Sequence, residues 1–109
     1  MPNLYYTARV KTELLAGLDA DMIPERWLRA CVAHLARDLK VGVVCSAQLF
    51  YNVPHNDPLN QQNSINWLYM DIIRDHAGLG WNLGSGLVFR REAVDDIGGF
   101  PTDCLVKDI

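Results

Sequence analysis

A chain of 109 residues, half of them apolar and 21% charged, has room for one small domain and is too hydrophobic to be disordered. Its net charge of -3, with Arg90-Arg91 the one adjacent basic pair, argues against a nucleic-acid partner, because phosphate backbones call for a basic face. No apolar run approaches membrane-spanning length and Met1-Pro2-Asn3 does not open a signal peptide, so the expectation is a soluble or peripheral chain. Cys31, Cys45 and Cys104 are widely spaced and form no Cys-x-x-Cys pair, which points to reduced thiols in a cytosolic setting.

Leu4–Val10, rich in aromatic and β-favouring residues, is predicted as a strand. Glu13–Leu18 is predicted as a second, more continuously apolar strand, buried on both faces. Only Lys11 and Thr12 separate them. Parallel neighbours need a crossover of about a dozen residues. A tight hairpin wants Gly or Asn, which Lys-Thr does not supply. The junction therefore reads as a place where a segment is missing.

Leu18-Asp19-Ala20-Asp21-Met22-Ile23-Pro24 follows. If Asp19 and Asp21 end a strand, alternation places both carboxylates on one rim, where they can hold a hard divalent cation that neutralises a diphosphate. The plainer alternative is that Asp19 ends the strand and Asp21 caps the next helix. Pro24 suits the first turn of that helix. Trp27, Leu28, Cys31, Val32, Leu35 and Leu39 recur at helical spacing, which predicts a helix to about Asp38. Arg26, Arg29, His34 and Arg37 fall largely on its solvated face. His34 has no neighbouring ligand with which to bind a metal.

Val41–Gln48 is the next predicted strand, continued outward by Leu49–Pro54. Asp57 and Pro58 form a helix entry. Ile65, Leu68, Tyr69, Ile72 and Ile73 then support a helix from Leu59 to about Asp75, amide-rich in its first half. Glycines at 78, 80, 84 and 86 make a flexible approach to a short strand, Leu87–Phe89. A short helix, Arg90–Ile97, is stopped by Gly98-Gly99.

Three segments carry a resemblance: LDADMIP (Leu18–Pro24), AQLFYNVPHNDPL (Ala47–Leu59) and GSGLVFRREAVDDIGGFPT (Gly84–Thr102). In this order they resemble glycosyltransferase family 2, in the branch of cellulose-synthase-like and related β-glycan synthases. The resemblance covers nearly the whole chain from Leu4. It implies a partial GT-A (Rossmann-like) nucleotide-sugar-binding fold, an α/β mixed sheet flanked by helices, spanning 1–109 as one partial domain. It implies transfer of a hexose from a UDP-sugar, UDP-glucose being the best single choice, onto a glycan acceptor.

The resemblance also implies site residues. Asp19 and Asp21 match the family's Asp-x-Asp, whose second carboxylate contacts the Mg²⁺ or Mn²⁺ that bridges the UDP diphosphate. Gly84, Ser85 and Gly86 match a small-residue loop beside the acceptor sugar. Asp108 matches the general base of the family's Thr-Glu-Asp motif, which here reads Val106-Lys107-Asp108. Lys in place of Glu favours the ionised carboxylate and weakens the base.

Against the family pattern, the first βα unit, the segment between the strands joined near residues 11–13, and the C-terminal Gln-x-x-Arg-Trp part are absent. Full-length relatives are membrane-embedded with a cytosolic catalytic domain; this chain has no span. The expectation is therefore a truncated piece of such an enzyme, inactive by itself or acting as a partner of a full-length synthase. An EF-hand is excluded because Ile23 and Pro24 stand where a further ligand and a turn glycine belong. Gly84-Ser85-Gly86 lacks the flanking pattern of a nucleophile elbow.

Overall fold

The computed structural model describes residues 11–58, 66–80 and 84–100. They fall into two compact units, one holding the described residues up to Ser46 together with those from Gly84 on, the other the described residues between Ala47 and Gly80. The predicted strand at 4–10 and the amide-rich first half of the predicted helix at 59–75 lie outside the described residues.

The first unit is α/β, with an open three-stranded sheet. Strand β1 (Leu14–Gly17) leads to helix α1 (Trp27–Arg37) and strand β2 (Val43–Cys45). Strand β3 (Leu87–Arg90) runs straight into a short helix, Arg91–Asp96. The order is β1-β3-β2, and β3 is antiparallel to both neighbours. Gly17 and Cys45 both sit opposite Leu87, so β1 and β2 run in the same direction with β3 threaded between them. The expected mixed sheet is therefore antiparallel throughout its described ladders.

Position in the sheet explains burial. Leu87 and Val88 of the central strand are buried, whereas β1 and β2 are only half-buried, with Ala16 and Val43 exposed. The expectation that the strand at 13–18 is buried on both faces is not met: Leu14, Leu15 and Gly17 are half-buried and Ala16 is exposed, and among the described residues its one ladder is with β3. Helix α1 lays Cys31 and Leu35 on Val88, and Leu14, Trp27, Val41 and Val44 pack around them. Phe89, one position on and so on the other face, meets Phe100 edge-to-face at 5.3 Å.

Helix α1 begins at Trp27, later than Pro24 suggested. Arg26 takes a left-handed conformation (φ 53°), which breaks helical continuation from the proline, and no side chain caps the first turn. The other end is anchored from the sheet. Arg90 donates from Nη2 to the Leu35 carbonyl at 2.7 Å and from Nε to the Val41 carbonyl at 3.2 Å. The helix at Arg91–Asp96 ends as Gly98-Gly99 predicts. Gly98 N–H bonds the Asp95 carbonyl and Gly99 N–H the Val94 carbonyl, with Gly98 at φ 86°: both bonds of a Schellman cap.

In the second unit, a π-helical turn (Asn66–Met70) passes into helix α2 (Asp71–His76). Gly78 and Leu79 close α2 with the same pair of bonds, to the Asp75 and Arg74 carbonyls. No helix among the described residues is long and apolar enough to cross a membrane.

Candidate functional site

Because β1 and β2 run the same way, their carboxyl ends share one edge of the sheet, where β3 begins. Gly86 ties that edge together. Its N–H donates to the Gly17 carbonyl at 3.0 Å, and its own carbonyl accepts the Ser46 N–H at 2.9 Å and the Ser46 Oγ–H at 2.8 Å. One residue thus joins the ends of both outer strands. Gly84 and Gly86 have φ of 89° and 70°, left-handed values that a side chain resists, so the loop entering β3 needs glycine at both places.

Ser85, between those glycines, is 3% exposed. Its hydroxyl accepts the backbone N–H of Asp19 at 2.8 Å, across 66 positions of sequence. Two of the sequence-predicted motifs, Asp19–Asp21 and Gly84–Gly86, therefore meet at the same edge. Ser46 belongs to it as well and was not singled out from the sequence; the signal for it is a hydroxyl placed where the apolar strand ends.

The local geometry of Asp19 and Asp21 differs from expectation. Strand β1 ends at Gly17, and the Met22 N–H bonds the Asp19 carbonyl at 3.2 Å, closing a turn over residues 19–22. The aspartates sit in this turn, so strand alternation does not align their carboxylates. Asp opens such turns readily because its side chain and backbone tolerate the bend. Asp19 is half-buried and Asp21 exposed. Asp108 lies outside the described residues.

The donor set limits what could bind. Among the described residues no group of three or more His, Cys, Asp or Glu side chains converges on a metal-sized position. Mg²⁺ characteristically keeps waters and takes one or two carboxylates together with substrate phosphates. Two carboxylates such as those of Asp19 and Asp21 could serve only a cation shared in that way, and do not make a cage of protein ligands alone.

A cavity of about 710 Å³ lies at the other end of the sheet, lined by residues that include Lys11, Leu14, Val32, Leu35, Arg90 and Asp95. Of the predicted site residues that are described, Asp19, Asp21 and Gly84–Gly86, none lines it. The Arg90 and Arg91 guanidinium groups beside it are bonded to backbone carbonyls, Arg91 Nε donating to Thr12 at 2.6 Å. The motif-bearing edge is the stronger candidate, because its polar groups are organised across three chain segments.

Compared with family models, with curated proteins and with solved structures, the chain matches none of them.

Proposed function

We propose that the edge formed by Asp19, Asp21 and Gly84–Gly86 takes the diphosphate of a UDP-sugar, and that the chain is a glycosyltransferase family 2 domain built on a partial GT-A sheet. One observation supports this most: the 2.8 Å bond from Asp19 N–H to Ser85 Oγ, which unites two distant motifs at the carboxyl ends of β1 and β2. In open, mostly parallel α/β sheets ligands sit at the carboxyl ends of the strands, and here the two strands of like direction, β1 and β2, bring theirs to one edge.

The chain's own contributions are then specific. Asp19 and Asp21 supply oxygens to a cation shared with the diphosphate. Gly84 and Gly86 keep side chains away from a close backbone approach by the acceptor sugar. Asp108 is proposed as the base for the acceptor hydroxyl. Mg²⁺ or Mn²⁺, when bound, supplies Lewis-acid stabilisation of the departing UDP. UDP-glucose and a glycan acceptor are the proposed substrates.

Titration calorimetry with UDP and Mn²⁺ tests the site. Micromolar binding by the unmodified chain, weakened at least tenfold by Asp21→Asn with no change in thermal midpoint, is the expected result. Asp21 is exposed, so its loss leaves stability within about 0.5 kcal/mol. Equal titrations of the two chains, or no binding by either, refute the assignment.

A second reading is a chain that binds partners and does not turn over substrate, such as a companion of a full-length synthase. It is favoured by the exposed apolar side chains of the second unit: Leu49, Phe50 and Tyr51, and Leu68, Tyr69, Ile72 and Ile73. UDP release from UDP-glucose well above a buffer blank would exclude it.

A further inference from the structure

We propose that Ser85 is a positioning residue that sets the orientation of the Asp19-Ala20-Asp21 turn for a cation-bound diphosphate; this deepens the site reading above and rests on it. A buried serine ordinarily satisfies its hydroxyl on nearby backbone. Ser85, 3% exposed, accepts the Asp19 N–H from 66 positions away.

Its place is set by the sheet. Gly84 and Gly86 hold left-handed values on either side, and Gly86 is bonded to Gly17 and Ser46. The hydroxyl therefore projects from a backbone anchored to both outer strands. Within the turn, the Met22 N–H to Asp19 carbonyl bond is 3.2 Å, near the long end for such bonds. Ser85 grips the Leu18–Asp19 peptide that enters the turn, and so bears on the backbone from which the Asp19 and Asp21 side chains project. A displacement of about 1 Å at a positioning contact is enough to weaken a reacting geometry strongly.

The test uses the full chain, with backbone amide exchange followed by NMR and UDP with Mn²⁺ followed by calorimetry. Ser85→Ala should raise the exchange rate of the Asp19 amide at least tenfold and the dissociation constant for UDP with Mn²⁺ about tenfold. Ser85→Thr, which keeps the acceptor oxygen, should restore both. A hydroxyl of merely structural importance would lower the thermal midpoint and leave the affinity of the folded protein unchanged. A dissociation constant within twofold of the unmodified chain's in Ser85→Ala overturns the proposal while the site reading stands. Should Ser85→Ala not fold, Ser85→Cys, similar in volume but a weak acceptor, takes its place with the same two outcomes. No binding by the unmodified chain overturns the site reading and this proposal together, and the Asp19 amide then reports separately whether the bond itself exists.

Discussion

Replacing Arg90 with methionine isolates the contact that anchors α1. The last four carbonyls of any helix have no intrahelical donor, and in α1 these include that of Leu35. Arg90 reaches it at 2.7 Å from β3, while also bonding the Val41 carbonyl at 3.2 Å and the exposed Asp38 carbonyl at 3.4 Å. Methionine keeps an apolar stem in place and removes the donors. The short bond from a charged group to a partly buried carbonyl is worth about 1.5–3 kcal/mol. A cation at the helix C-terminus adds about 0.3–1 kcal/mol. The long, exposed bond to Asp38 adds little.

Arg90→Met should therefore cost about 2–4 kcal/mol, a large share of the roughly 5–15 kcal/mol that holds a typical domain folded. In urea unfolding followed by far-UV circular dichroism, the midpoint should fall with the slope unchanged. Arg90→Lys, which keeps the charge and loses the planar fork, should fall between the two. A methionine variant within about 0.5 kcal/mol of the unmodified chain would refute the anchoring role, since that is the range of an unimportant surface change.

Two further outcomes follow from packing and titration. A Cβ on Gly42 would lie 2.9 Å from the Ala93 Cβ, so Gly42→Ala should destabilise by about 1–3 kcal/mol, and Ala93→Gly in the same chain should recover much of the loss. A neutral Gly42→Ala in the same urea assay would show that the helix at Arg91–Asp96 does not press on Gly42 so closely. Burial of Cys31, and secondarily the neighbouring Cys45 thiol, pushes the Cys31 thiol above its ordinary range. A folded-state value raised above the unfolded one stabilises fully below the unfolded value, roughly 8.5, and that contribution is lost as pH climbs through the folded value. Stability should decline above roughly pH 8.5, and Cys31 should react with iodoacetamide more slowly than half-buried Cys45. Equal labelling rates by mass spectrometry would contradict this.

Local pattern and tertiary partner explain what was legible in the sequence. Of the predicted stripe, Cys31 and Leu35 are buried and Trp27 and Val32 half-buried, whereas Leu28 and Leu39 are exposed, and α1 ends at Arg37, within a residue of the predicted stop. Gly98-Gly99 marks a helix end by a purely local conformational need, so it could be read directly. The helix start could not. Pro24 is compatible with a first turn, but Arg26 in the left-handed region delays the helix to Trp27. Strand pairing was likewise hidden. The runs at 13–18 and 41–48 look apolar enough for a parallel interior, yet only Leu14–Gly17 and Val43–Cys45 form ladders, each on one side of β3. An apolar run records that a strand is covered, not which neighbour covers it.

The candidate site shows the same division more sharply. Asp19-Ala20-Asp21 and Gly84-Ser85-Gly86 were both visible as motifs, but their meeting depends on β1 and β2 sharing a direction around an antiparallel strand. That arrangement places peptide groups at the edge more firmly than it places carboxylates. Gly86 and Ser85 are buried and bonded, Asp19 is half-buried in a turn, and Asp21 is exposed. Two carboxylates leave a hard cation well short of its usual six or so oxygens, and the diphosphate is the chemically natural source of the rest. A site of this construction has little hold on the metal alone, or on the anion alone beside two negative charges. On the proposed reading, binding at this edge would be a three-body event, with the turn bonded to Ser85 in place before either ligand arrives.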